Sequence, residues 1–278
     1  MIERKVARSA RIGFFCVGHK PYWVQFDGLL DSLLGFHGEA KKIIEANEVE
    51  VIDYGMVDDN IKSFEVAKKM RADELDLIIC NMVTYATSST YSQIIQNVDV
   101  PVILIALQPL RCLDYTKTDT YMELQNDNIC AVSEFVCAAN KLNKKVHDVI
   151  CGCLYGDAEV ERDIREWCDI AKVLNGLKGA RIALMGHVME AMYDMHADPV
   201  SVTNAFHIHV PLLEIEDIVT LAETVTQKEI EEKRELILRE FETPEPKQDP
   251  VTTKLSEKDL LLAAKYAVAL DKLVENTT

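Results

Sequence analysis

The sequence lacks the features that would place the chain in a membrane or on a nucleic acid. No apolar run approaches the ~20 residues that a membrane-spanning helix needs. Basic residues are few, with 30 Lys and Arg against 46 Asp and Glu, and the resulting net charge of −16 repels phosphate. The N-terminal residues are basic, but the apolar segment after them is short and has no small-residue cleavage site. We therefore expect a cytoplasmic protein with neither a nucleic acid nor a membrane as its partner.

Glycine-rich phosphate loops and metal-binding cysteine motifs are also missing. The loop after the first apolar run, GHKPYW, holds a single glycine, Gly18, so neither the dinucleotide fingerprint nor the P-loop is present. The eight cysteines lie mostly in apolar segments, where cysteine packs as a small hydrophobic residue. The pair Cys151 and Cys153 has the wrong spacing for a zinc knuckle. These absences weigh against a nicotinamide or nucleotide enzyme and predict reduced thiols.

The chain of 278 residues is long enough for two ordinary domains. Over residues 1–175, short apolar runs alternate with longer amphipathic ones. The short runs predict five strands: Arg11–Val17, Val49–Asp53, Leu75–Cys80, Val102–Ala106 and Val149–Leu154. The longer runs predict five helices: Gln25–Asn47, Asn60–Arg71, Ser88–Val98, Asp127–Leu142 and Ala158–Leu174. This alternation predicts an α/β domain of flavodoxin or Rossmann type, with a parallel sheet covered by helices on both faces.

Residues 176–278 predict a second α/β domain. Its expected elements are a strand, a helix, a second strand and a long helix: Arg181–Met185, Pro199–Phe206, His207–Leu213 and Ile215–Phe241. The segment Glu242–Thr253 carries three prolines and is interpreted as a linker. Ser256 is expected to cap a last helix that extends to Leu273. Two strands are too few for a sheet of its own, so this domain is predicted to be incomplete.

Ligands of parallel α/β sheets bind beyond the carboxyl ends of the strands. The loops expected at those ends are residues 18–23, 81–85 and 108–111 in the first domain and residues 186–198 in the second. They carry aromatic rings together with Lys, His, Gln and Asn side chains. Rings stack on the C–H faces of a sugar while amides and charged groups bond its hydroxyls. The loops therefore favour a polyhydroxylated ligand.

The histidines and methionines of the second domain allow more than one interpretation. His187 and His196 could bind a metal with Asp194 or Asp198, but their spacing matches no ligand signature. His207 and His209 are expected on one strand face, and such His-x-His pairs bind metals in some barrels. An interface or structural role is the simpler interpretation. Methionines recur every third residue at positions 189, 192 and 195, and such a stripe is more often core or interface filler than a ligand wall.

Two stretches resemble a known family. GFFCVGHKPYWVQFDGLL resembles the opening of the L-fucose/L-arabinose isomerase superfamily. RIALMGHVMEAMYDMHADP and FHIHVPLLEIEDI resemble the fucose-isomerase-like branch more specifically. In that branch a strand ending in Gly-His leads into a Met-rich or aromatic stretch, and a second strand leads into Leu-Glu-Ile-x-Asp. The resemblance covers essentially the whole chain.

The resemblance implies cytoplasmic aldose–ketose isomerisation of a pentose or deoxyhexose, through an enediol and a bound Mn²⁺. In the family, the acid/base pair and the metal ligands lie in segments that this chain does not match. The resemblance therefore assigns no catalytic or metal-binding residue here, and the isolated chain is expected to be inactive. A non-catalytic sugar-binding or regulatory protein with the same fold is the alternative.

The resemblance does imply sugar-binding positions. Family active sites are completed between subunits, which predicts a homo-oligomer. The matching positions are Lys20, Trp23 and Tyr85 in the first domain and His187, Met189, Tyr193 and Asp194 in the second. Met189 matches a methionine that contacts the sugar, and its neighbours are expected to shape the loop around it.

Overall fold

The computed structural model describes residues 9–242 and 256–277. The chain divides into two compact units, Met1–Leu177 and Lys178–Thr278. None of the described helices combines the length and the apolar character that crossing a bilayer requires. The predicted linker Glu242–Thr253 lies, apart from Glu242, outside the described residues.

The first unit is built on a parallel sheet of five strands. The strands are β1 (Arg11–Val17), β2 (Glu50–Val57), β3 (Leu77–Met82), β4 (Val102–Gln108) and β5 (Asp148–Cys153). Their order in the sheet is β2-β1-β3-β4-β5, and every neighbouring pair is parallel. The chain therefore runs from β1 outward to β2 and then returns to the other side of β1.

Six helices accompany this sheet: α1 (Leu29–Glu45), α2 (Asn60–Ala72), α3 (Ser88–Asn97), α4 (Thr120–Asn126), α5 (Val132–Lys141) and α6 (Ala158–Leu177). Buried side chains of α2, α3 and α5 pack on one face of the sheet, and those of α1 and α6 pack on the other. Every residue of β3 is buried, as expected for a central strand covered on both faces. The predicted α/β fold class is confirmed.

One polar network lies within this core. The buried His37 of α1 stacks on Phe14 with ring centroids 4.2 Å apart. Its Nε2 lies 3.0 Å from Asp53 Oδ1, and its Nδ1 lies 3.2 Å from Asn81 Nδ2. Since Asn81 donates to Nδ1 and Asp53 accepts from Nε2, the ring is held as the Nε2–H tautomer. The network ties α1 to β2 and β3.

Asp53 is expected to make stability fall in acid. Burial alone would raise its pKa, but the hydrogen bonds from His37 and from the backbone N–H of Gly55, together with the nearby Lys41, lower it to about 2. A carboxyl with a depressed pKa stabilises the folded state above its unfolded value, near ~4, and loses that contribution as the pH falls towards 2. Asp53→Asn should flatten this dependence by roughly 1 kcal/mol, since the group is partly solvated.

Urea unfolding of the wild type and of Asp53→Asn between pH 5 and the acid transition measures this effect. Asp31→Asn, at an exposed position of α1, is the control. Parallel stability curves for the wild type and Asp53→Asn would contradict the prediction.

The second unit contains a short parallel pair, β6 (Leu184–Met185) and β7 (Leu212–Leu213). Its helices are α7 (Pro199–Phe206), α8 (Ile215–Ala222), α9 (Gln227–Glu240) and α10 (Glu257–Thr277). Buried residues of α8 and α10 pack together, with Met185 and Leu213 against them. The two strands are shorter than predicted. Residue His207 takes a left-handed conformation, φ 56°, at the end of α7, which is not strand geometry, and only an isolated bridge joins Arg181 to His209.

Two predicted helices were wrong in extent. The helix predicted over Ile215–Phe241 is divided into α8 and α9, because Thr226 and Glu229 form a capping box that starts a new helix. The helix predicted over Asp127–Leu142 starts only at Val132, and the preceding α4 was not predicted.

Candidate functional site

The order of the strands places one site candidate in the first unit. From β1 the chain crosses to β2 on one side, and from β3 it crosses to β4 on the other side. The loops that follow the neighbouring strands β1 and β3 therefore diverge at the carboxyl edge of the sheet. Ligands of doubly wound folds bind at such a switch point. The loop after β1 carries Lys20 and Trp23, and the segment after β3 carries Tyr85. The structure therefore places these three predicted residues at the same edge of the sheet.

The loop after β1 is held by the packing of Trp23. Its ring lies over Gly18, where a Cβ atom would come within 2.8 Å of the ring and 2.9 Å of Met56 Sδ. The indole N–H donates to Asp58 Oδ2 at 2.7 Å. Gly18 thus allows the Trp23 ring to approach the backbone closely. A glycine in a phosphate-binding loop has a different role.

Lys20 is held by Asp59, which follows Asp58 in the loop after β2. Its Nζ lies 2.6 Å from Asp59 Oδ2, and Asp59 also caps the first turn of α2 by accepting from the N–H of Lys62. Asp58 and Asp59, which follow β2, therefore anchor both predicted residues of the first loop.

Three aromatic side chains form what we call the ring cluster: His19, Tyr22 and Tyr85. The His19 ring meets Tyr22 edge-on at 4.9 Å and Tyr85 edge-on at 5.9 Å. His19 and Tyr85 are partly buried. Within residues 9–242 and 256–277, neither ring nitrogen of His19 has a hydrogen-bond partner. The ring cluster joins the loops after β1 and β3 and leaves polar ring atoms available.

An acidic group lies near the ring cluster. Burial, followed by the nearby Asp127 carboxylate, raises the pKa of Tyr22. Burial also raises the pKa of Asp127, which lies in the connection between α4 and α5. Asp58 and Asp59 are paired with Lys62 and Lys20. Asp127 is therefore the acidic group beside the rings, and it suits a neutral ligand that donates hydrogen bonds better than an anionic one.

The connection between α4 and α5 was missed by the sequence analysis as part of the site. Asn126 accepts from the N–H of Leu110 through Oδ1 at 2.9 Å, and its carbonyl accepts from Gln108 Nε2 at 2.9 Å. Asn128 Nδ2 donates to the Met82 carbonyl at 2.8 Å. The two asparagines therefore fasten this connection to the ends of β3 and β4. The polar run Asn-Asp-Asn is a turn signal that the helix prediction overlooked.

The four predicted residues of the second unit lie in the segment between β6 and α7. His187, Met189, Tyr193 and Asp194 are exposed, with Met189 at 65% and Tyr193 at 84%. The segment contains only a short 3₁₀ turn at Tyr193–Met195, so the methionines do not form the face of a helix. The rings of Tyr193 and His196 in this segment have centroids 6.0 Å apart.

The manganese ion implied by the family does not fit the described residues. Within residues 9–242 and 256–277, no three side chains of His, Cys, Asp or Glu come together so as to hold a metal ion. We therefore assign no metal-dependent step to these residues. The carboxyl edge of the first sheet presents aromatic ring faces, hydroxyl groups and a carboxylate, which suit ligand binding.

Comparisons with known proteins identify no family: no family model and no curated protein matches this sequence. Among solved structures, this chain is similar to the ligand-free, open structure of CD0873, a substrate binding protein with adhesive properties from Clostridium difficile. The identity is 13% and the TM-score 0.25, over 79% of this chain and 63% of that one. The chain thus spans less than two thirds of that protein, and a similarity this low carries no functional inference.

Proposed function

We propose that this chain binds a pentose or deoxyhexose and is the sugar-binding part of an aldose–ketose isomerase of the L-arabinose/L-fucose type. The observation that carries the proposal is the ring cluster, in which His19 contacts both Tyr22 and Tyr85. Aromatic rings pack against the C–H faces of sugars, while imidazole and phenol groups bond their hydroxyls. The sequence resemblance supplies the class of sugar and the reaction.

The residues have different roles in this proposal. His19 and Tyr85 contact the sugar. Trp23 and Lys20 hold the loop that presents His19, because Asp58 and Asp59 already engage their N–H groups. The predicted residues of the second unit are proposed to form a further wall of a sugar site in a homo-oligomer. The acid/base pair and the Mn²⁺ ligands are proposed to come from outside the described residues.

Tryptophan fluorescence gives a direct test, because the chain has two tryptophans at opposite edges of the first sheet. Trp23 lies at the carboxyl edge, whereas the indole N–H of Trp167 donates to Asp148 at the start of β5. In Trp167→Phe, Trp23 is the only tryptophan. L-arabinose or L-fucose should change its emission with a Kd near or above about 1 mM, since each contact contributes only ~1–3 kcal/mol. In Trp23→Phe, the remaining tryptophan should not respond.

Tyr85→Ala in the Trp167→Phe background should raise the Kd about fivefold, which corresponds to ~1 kcal/mol. Tyr115→Ala is the matched control, since Tyr115 is 90% exposed in the β4–α4 loop. No response of Trp23 to either sugar would refute the proposal. Binding without turnover in every assembly of the protein would favour the non-catalytic alternative.

A further inference from the structure

Two buried polar atoms at the carboxyl edge have no hydrogen-bond partner among the residues that the structure describes. They are Thr84 Oγ1 and Asn128 Oδ1, and the two residues are 0% and 2% exposed. Buried side-chain oxygens are nearly always satisfied, because leaving one unpaired is unfavourable. A buried, unpaired oxygen at a candidate site therefore indicates a hydrogen-bond partner from a bound ligand.

Both residues lie beside the end of β3. Asn128 donates through Nδ2 to the carbonyl of Met82, the last residue of β3, and Thr84 follows Met82 by two residues. The next residue is Tyr85, a member of the ring cluster. Thr84 is therefore next in the chain to a member of the ring cluster, and Asn128 is bonded to the end of the same strand; we call the two oxygens the polar pair.

The hydrogen-bonding capacity of the polar pair determines which chemical group could bind to it. The contact with the Met82 carbonyl requires the amide nitrogen of Asn128, so the unpaired atom is its oxygen, which only accepts hydrogen bonds. The Thr84 hydroxyl can donate or accept. A carboxylate or phosphate would place acceptor against acceptor at Asn128. A neutral hydroxyl can donate its proton to Asn128 Oδ1 and accept a hydrogen bond from the Thr84 hydroxyl.

We propose that Thr84 and Asn128 form a hydroxyl-binding subsite, which receives one hydroxyl group of the sugar. This inference rests on the proposed function and adds two residues to its site. Protein atoms cover both oxygens, so the hydroxyl reaches them when a covering side chain moves. Tyr85 follows Thr84 in the chain, is only partly buried and contacts His19 of the ring cluster.

The test measures L-arabinose affinity by Trp23 emission in the Trp167→Phe background. Thr84→Val keeps the shape of the side chain and removes the hydroxyl, and it should raise the Kd about tenfold. Thr84→Ser restores the hydroxyl and should bind within about twofold of the parent. Tyr91→Phe is the matched control, because its hydroxyl is also buried and unpaired but its ring packs against Phe135 in the core.

The outcomes separate this inference from the proposed function. If the parent protein responds to neither L-arabinose nor L-fucose, the proposed function fails and the subsite fails with it. If the parent binds and Thr84→Val binds equally well, only the subsite is refuted. The urea midpoint of Thr84→Val should equal or exceed that of the parent. A lower midpoint with unchanged affinity would mean that the hydroxyl serves an internal water, which also refutes the subsite.

Discussion

Purified chain incubated with L-arabinose or L-fucose and Mn²⁺ is expected to form no ketose above the rate seen with Mn²⁺ alone. Moving a proton between adjacent sugar carbons requires a positioned acid/base pair, and a metal would stabilise the developing oxyanion. The described residues gather no metal-binding group, and the sequence resemblance places the acid/base pair elsewhere. Since enzymes accelerate reactions by at least about 10⁶-fold, the difference between an active and an inactive chain is easily measured.

Turnover above the Mn²⁺ control would overturn this expectation. In that case the metal ligands would be His187, Asp194, His207 and His209, because these residues of the second unit are the remaining candidates. A matched measurement is the manganese content of four variants, each with one of these residues changed to alanine. We expect the same content in all four as in the wild type.

Gly152→Ala is expected to lower the free energy of unfolding of the first unit by about 2–3 kcal/mol. A Cβ atom at this position of β5 would clash with the buried Val160 of α6 and come within 2.7 Å of Asp157 Oδ2. Asp157 cannot yield easily, because its carboxylate accepts from the N–H groups of Cys153 and Val160. The substitution therefore forces α6 away from the sheet.

Gly35→Ala is the control with the opposite sign. Gly35 is exposed within α1, and a Cβ there would meet no atom within 4 Å. Alanine favours a helix over glycine by up to about 1 kcal/mol, so this variant should be more stable than the wild type. Urea unfolding of both variants measures the two changes. Equal midpoints for Gly152→Ala and the wild type would show that α6 accommodates the methyl group.

The elements of the first unit were predictable because their apolar runs are long and clear. The prediction for β1 agrees with the structure at both ends, Arg11 and Val17. The predicted starts of α2, α3 and α6 also agree with the structure, whereas the start of α9 was missed because its capping chemistry was not considered. The sequence Thr-Gln-Lys-Glu at residues 226–229 is a capping box, and it shows that α9 starts within the charged run.

The site was only partly predictable. The loops at the carboxyl edge could be found from the strand pattern, and Tyr85 with them. The anchoring of Lys20 and Trp23 could not, because their partners lie 39 and 35 residues along the chain and no periodicity shows that β2 lies beside β1. Asn128 was missed for a related reason: its contact with Met82 spans 46 residues and depends on tertiary structure alone.

The anchoring of the loop after β1 also dictates when the site can form during synthesis. β1 and its loop leave the ribosome before Asp58 and Asp59 do, so the emerging loop has no carboxylate beside it to hold Trp23 or Lys20. The anchors arrive with β2, and Asn128 emerges only after β4 has been made. A nascent chain arrested between these points would lack Asn128 of the proposed subsite. The proposed sugar site is therefore completed late, after most of the first unit has left the exit tunnel.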